Sequence, residues 1–168
     1  MVPVLPRAIT KEGQLTGIDK ERHMVRMLDD RTIEVSLPNK LGYERIAMQC
    51  SASFAKIVGF GPERIEDLKT AVAEAILNAM EHGNKCRPDK RVLVAMNYED
   101  KVFSVTVMDE GEGIEQLPEE PDIEKKIENL KTPRGLGIFL IKQLVDQVEF
   151  NKLTSEGHVV RMEIKLTR

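Results

Sequence analysis

The chain has 168 residues, enough to enclose one substantial core with a short appendage and too few for a second full domain. A hydrophobic share of 41% beside a charged share of 32% excludes a disordered chain and a membrane-spanning one. The net charge of -3, with no dense basic run, excludes the electrostatic footprint of a general nucleic-acid binder, so no direct nucleic-acid partner is expected.

Residues 1–30 mix prolines, glycines and charges without a lasting period, apart from a short helical stretch between Asp19 and Leu28, and are expected to form an arm without an assigned role. Met1 to Ile9 contains Pro3 and Pro6 and lacks the apolar core of an export signal. No uninterrupted apolar run approaches about 18 residues, which predicts a cytoplasmic protein without a membrane segment. The domain proper is expected over residues 31–168. Arg31 to Leu37 alternates Ile33, Val35 and Leu37 with polar neighbours, the period of a half-buried strand, and Pro38 and Asn39 end it.

From Leu41 to Val58 apolar residues recur at helical spacing (Leu41, Ile46, Met48, Phe54, Ile57), until Gly59, Gly61 and Pro62 break the pattern. A second helix is predicted from Pro62 to His82, with the proline in its first turn and Gly83-Asn84 as its stop. Its stripe of Ile65, Leu68, Val72, Ala75, Ile76 and Ala79 should face the core. Arg91 to Tyr98 and Val102 to Met108 read as an antiparallel hairpin closed by a tight connection.

Asp109 to Arg134 is rich in glycine, proline and acids, with a weak helical run from Ile123 to Leu130. It is longer than a plain connection, as lids and binding loops are. Gly135 to Val148 is apolar on nearly all sides and predicts a helix buried in the core. Two closing strands, Gln147 to Lys152 and Val159 to Leu166, flank a turn at Ser155, Glu156 and Gly157. Cys50 and Cys86 lack CxxC spacing and a histidine cluster, so they are expected as buried or partly buried thiols rather than a bridge or a zinc site. The order predicts an α+β fold: a two-layer sandwich with a mostly antiparallel sheet and helices on one face.

Three places can carry chemistry. Glu74 and Asn78 lie one turn apart on the second helix and point the same way. The amide oxygen of Asn78 suits a hard cation such as magnesium, and Glu74 can take a proton from a hydroxyl nucleophile; the pair taken alone reads more simply as a solvated helix face. Asp109, at the end of a strand and followed by Gly111 and Gly113, can accept a hydrogen bond from a base amine while the glycines admit a flat ring, although Asp-x-Gly-x-Gly is also an ordinary turn. Arg134, Gly135 and Gly137 stand at the entry of the buried helix, where free N–H groups and the helix dipole favour phosphate; packing glycines at a helix start are the plain alternative. A Walker A loop, a Rossmann GxGxxG and the protein-kinase HRD and DFG signatures are all absent.

In this order, Glu74-Ala-Ile-Leu-Asn78-Ala-Met-Glu-His82-Gly83, Asp109-Glu-Gly111-Glu-Gly113-Ile114 and Arg134-Gly135-Leu136-Gly137-Ile138 resemble the N, G1 and G2 boxes of the GHKL (Bergerat-fold) ATPases. Within them the chain is most similar, over roughly residues 31–167, to the anti-sigma serine/threonine kinases of the RsbW and SpoIIAB kind. The resemblance implies ATP and Mg2+ as cofactors, with Asn78 as magnesium ligand and Glu74 as general base toward a substrate hydroxyl. It implies Asp109 as reader of the adenine amine, His82, Gly111, Gly113 and Ile114 as further nucleotide-binding positions, and Arg134, Gly135, Leu136 and Gly137 around the phosphates.

By the same likeness residues 115–133 form the ATP lid. The substrate would be an anti-anti-sigma (STAS) protein, exchanged for a sigma factor on a kinase homodimer. Where many relatives have Gly-Thr before the last strand, this chain has Gly157-His158, and its lid is strongly acidic. A sensor histidine kinase would need a dimerising hairpin carrying a phosphorylated histidine, and His23 has too little chain around it. The rival reading is a regulatory module that binds ATP and sequesters a partner with little or no kinase turnover.

Overall fold

The computed structural model describes residues 31–111, 136–152 and 157–166. The expected arm 1–30, the lid 115–133, and Gly113, Ile114, Arg134 and Gly135 lie outside the described residues. The alternation after Arg31 gives β1 (Ile33–Pro38), ending at the proline that cannot extend the ladder. The two helices that follow are α1 (Glu44–Val58) and α2 (Pro62–Asn78), separated by Gly59 in the left-handed region at φ 101°. Pro62 occupies the first turn of α2, where its missing N–H has no partner to lose.

The large apolar residues of α1 are not its buried face. Leu41 before it and Ile46 and Ile57 within it are exposed, while Ala47, Ser51, Ala52 and Ala55 are buried. Small residues let the α1 backbone approach its neighbours closely. Ser51 turns its hydroxyl onto the Ala47 carbonyl at 2.7 Å, so burying it strands no donor. Of the expected large residues, Phe54 does reach the core edge, meeting Phe103 edge-on at 5.1 Å between ring centroids.

α2 behaves as its stripe predicts, with Leu68, Val72, Ala75 and Ile76 buried. It ends differently from expectation. The turn Ala79–Gly83 is π-helical, and its cap Asn84 keeps a right-handed backbone; the left-handed residues come next, at Lys85 and Cys86. Cys86 is therefore an exposed thiol on a tight turn, contrary to the expected burial, whereas Cys50 is half-buried, and both are free.

β2 (Arg91–Glu99) and β3 (Val102–Met108) form the predicted hairpin. Asp100 and Lys101 both have positive φ, the turn whose twist matches that of paired strands. α3 (Leu136–Leu144) ends before its hydrophobic run does and is less enclosed than predicted. Only Ile141 within it is fully buried, because part of its apolar surface borders a cavity instead of the packed core. Val148 belongs to the next strand, β4 (Gln147–Lys152), which pairs with β5 (His158–Lys165).

The five strands run in the order β1-β2-β3-β5-β4, every neighbouring pair antiparallel. Inward residues of the central strands (Val92, Val94, Met96, Phe103, Val105, Met162, Ile164) meet Leu68, Val72, Ile76 and Met80 in one hydrophobic core. This is the two-layer α+β sandwich with helices on one face. Arg64, near the start of α2, reaches the Leu144 carbonyl at 3.1 Å and Asp146 at 2.5 Å, joining that end of α2 to the end of α3. No helix among the described residues is long and apolar enough to cross a membrane.

Candidate nucleotide site

The far ends of the helices and the β3-β5-β4 side of the sheet enclose a cavity of about 310 Å³, a volume suited to a small organic ligand. Register explains its floor. Val107 pairs with Val160, Val160 with Phe150, and His158 with Lys152, so these side chains share the face turned toward the helices. Ala75, Asn78 and Ala79 of the α2 region and Ile138 and Ile141 of α3 cover it. The walls are mainly apolar, and polar groups gather at two ends.

At one end stands Asp109, 7% exposed, one residue beyond β3. Its Oδ1 accepts the Gly111 N–H at 2.9 Å and the His158 N–H at 3.1 Å, and its Oδ2 lies 3.3 Å from His158 Nδ1. A carboxylate has roughly four acceptor positions, so capacity remains for one further donor from a ligand. The glycines around it are steric requirements. A β-carbon on Gly83 would collide with the Asp109 carboxylate, and one on Gly111 with the Gly83 carbonyl.

At the other end Glu74 and Asn78, half-buried on one face of α2, stand against Gly137 in the first turn of α3. A β-carbon at Gly137 would lie 2.6 Å from Glu74 Oε2 and 3.1 Å from Asn78 Nδ2. Asn78 Nδ2 is buried and has no hydrogen-bond partner among the described residues. A buried amide donor left unmet costs about 1–3 kcal/mol, so among the described residues this place is short of one acceptor. A carboxylate, an amide and the bare backbone of α3 at Gly137 thus converge on one small space.

Of the residues predicted from sequence, Asn78 and Asp109 line the cavity; Glu74 and Gly137 stand beside Asn78, and Gly111 is bonded to Asp109, behind the lining, while Leu136 is not among the lining residues. His82 is exposed on the π turn and does not line the cavity. Sequence reasoning missed the floor, namely Phe150, Asn151, Lys152, Val159 and Val160. The alternation in β4 and β5 held the signal for which residues share a face, but only the pairing shows that this face meets Asp109. Among the described residues there is no cluster of three His, Cys, Asp or Glu side chains of the kind that holds a metal unaided. A magnesium ion held by one amide and by phosphate oxygens would not require one.

Residues 37–164 match the family model of the histidine kinase-like ATPase domain. The chain is 34% identical over 125 residues to a serine-protein kinase RsbW of Oceanobacillus iheyensis, a match covering 71% of this chain and 78% of the relative. It is 31% identical over 140 residues to an anti-sigma F factor of Clostridium perfringens, covering 77% and 99%. Among solved structures, the RsbU and RsbW domains of a Mycobacterium tuberculosis protein superpose with a TM-score of 0.59 at 17% identity, over 82% of this chain and 32% of that one. The SiaB-SiaC complex of Pseudomonas aeruginosa gives 0.58 at 14%, over 88% and 98%; at such identities the likeness is one of fold. With the family model matched over residues 37–164 and relatives above 30% identity matched along most of their length, the chain belongs to the GHKL superfamily of histidine kinase-like ATPase domains, in its RsbW-like branch of anti-sigma factor kinases.

Proposed function

We propose that this chain binds ATP with magnesium in the cavity and transfers the γ-phosphoryl group to a serine or threonine of an anti-anti-sigma protein of the STAS type. In this reading it is an anti-sigma factor that acts as a homodimer and holds a sigma factor when the STAS protein is phosphorylated. The named relatives support the class of partner. The observation that carries the chemistry is the buried, unpartnered amide of Asn78 beside Glu74 at Gly137.

Asn78 would offer its amide oxygen to magnesium and its orphaned N–H to a phosphate oxygen, which removes the cost of leaving that donor unmet. Magnesium, when bound, neutralises charge on the phosphates. Glu74 would accept the proton of the attacking hydroxyl as its oxygen bonds to the γ-phosphorus and the bond to the β–γ bridging oxygen breaks, releasing ADP. The N–H groups at the start of α3, reached through Gly137, would face the phosphates, and the Asp109 carboxylate would take the 6-amino group of adenine. Phosphoryl transfer needs positioning and charge neutralisation more than covalent chemistry, and these groups supply both.

The test is incubation with γ-labelled ATP, magnesium and STAS proteins of the same organism, beside a Glu74→Gln variant. Label should pass to the STAS protein and should be lost in the variant, which keeps its nucleotide affinity. Nucleotide binding without transfer to any STAS protein would leave the sequestering module as the function. Unchanged magnesium-ATP affinity in Asn78→Ala would refute the nucleotide site itself.

A further inference from the structure

The sheet does not by itself hold the base end of the cavity. β3 ends at Met108, and its last ladder partner toward β5 is Val159. Asp109 keeps one further backbone bond, donating its N–H to the His158 carbonyl at 3.1 Å. Glu110 has left the ladder. Its N–H is donated instead to the side-chain oxygen of Asn84 at 2.9 Å.

Asn84 is 1% exposed and lies at the end of the π turn, directly after Gly83. Its amide nitrogen donates to the Arg91 carbonyl at 2.9 Å, at the first residue of β2, and lies 3.4 Å from Asn39 Oδ1. Its own N–H goes back to the Ala79 carbonyl at 2.8 Å. One planar amide thus ties the turn following Asn78, the start of β2 and the residue after Asp109. The reverse strap is also present, since the Arg91 N–H donates to Glu110 Oε2 at 2.9 Å.

We infer that Asn84 is a positioning residue for base recognition: by holding Glu110 it sets Asp109 against Gly83 and fixes where that carboxylate meets the purine. The inference rests on the reading of Asp109 as the group that takes the 6-amino donor. The residue type follows from the geometry, because the site needs an acceptor for Glu110 and a donor for Arg91 from one short side chain. Serine could do both only with a shorter reach, and aspartate supplies the acceptor alone. Asn39 serves as the internal comparison. It is buried in the same cluster and pins the same turn, donating to the Arg87 carbonyl at 2.9 Å, but it makes no bond to Glu110.

The experiment measures Kd for magnesium-ATP and magnesium-ITP, whose base carries a 6-oxo group in place of the amine, on the full chain and on Asn84→Ala, Asn84→Asp and Asn39→Ala. Melting temperature is followed in parallel. The unaltered chain should prefer ATP by about tenfold or more, the size of one charged hydrogen bond. Asn84→Ala should lose most of that preference, through weaker ATP binding rather than stronger ITP binding. Asn84→Asp, which keeps the acceptor for Glu110, should retain most of it, and Asn39→Ala should lower the melting temperature while leaving the preference intact.

Preserved ATP preference in Asn84→Ala overturns the inference while the Asp109 reading stands. Equal loss in Asn39→Ala, or loss in a folded Asn84→Asp as large as in the alanine variant, also overturns it, because the effect would then be one of general stability. An unaltered chain that binds ATP and ITP equally removes the base-reading role of Asp109 and the inference with it.

Discussion

Gly137 stands so close to Glu74 that a single methyl group on the glycine would lie 2.6 Å from the Glu74 carboxylate oxygen. At Gly137, α3 therefore approaches the acid and amide of α2 with bare backbone. Gly137→Ala separates two quantities that usually move together. Alanine is the better helix former by about 1 kcal/mol, so the nucleotide-free protein should not lose stability by propensity. The displaced carboxylate and amide should weaken magnesium-ATP binding by about tenfold or more. Thermal unfolding without nucleotide, set beside titration with magnesium-ATP, checks both signs.

Asp109→Asn tests the other end of the cavity with little change of shape. The retained amide oxygen can still accept from the Gly111 and His158 N–H groups, so the local fold should survive. The new NH2 would face a donor where an acceptor is needed. ATP affinity should fall by about tenfold to a hundredfold, the range for a hydrogen bond to a charged group, with only a small shift in melting temperature. A collapse in stability of the same order would mean that the carboxylate is structural.

Phe103 is fully buried and meets Phe54 and Phe60 edge-on, at 5.1 Å and 5.9 Å between centroids. It lies in the core of the sandwich, away from the cavity lining. Phe103→Ala should cost about 3–5 kcal/mol of unfolding free energy through lost burial and the void left behind. In the fraction that remains folded, ATP affinity should be unchanged. Denaturant unfolding combined with nucleotide titration separates the two.

The turn between β2 and β3 holds Asp100 at φ 49° and Lys101 at φ 66°. A left-handed backbone is costly for a residue with a β-carbon, and Asn-Gly is the sequence such hairpins favour. The double change Asp100→Asn and Lys101→Gly should raise stability by about 0.5 kcal/mol, because relief of strain exceeds the added entropy of glycine in the unfolded chain. Denaturant midpoints compared at equal slope give the answer.

These cases show which parts of the structure could be read from sequence. The hairpin, the apolar stripe of α2 and the strands around Gly157 followed from period and turn chemistry, because local pattern determines them. The buried face of α1 did not, since Ala47, Ser51 and Ala55 carry it, and a search for large apolar residues finds Ile46 and Ile57, which point to solvent. The π turn left no compositional trace in Ala79 to Gly83. In the site, Glu74 with Asn78 and Asp109 with Gly111 were legible as spacings, but only the family resemblance, and no local pattern, joined Asn78 and Asp109 to one pocket. Phe150, Lys152 and His158 join it through β4-β5 pairing, and Asn39 meets Asn84 across 45 positions of sequence, separations that no local window spans.

The π turn also gives the long helical segment a division of labour. An ordinary α-helix advances about 100° per residue, and a π turn absorbs one extra residue without altering what precedes it. Removing one residue between Ala79 and Gly83 would let the segment close into an ordinary α-helix, with Asn78 and Glu74 unmoved and Gly83 and Asn84 kept close to their present bearing. Five residues thus join Asn78 to the Gly83 that packs against Asp109, in a turn that can take up a change of length where a regular helix would rotate everything beyond it.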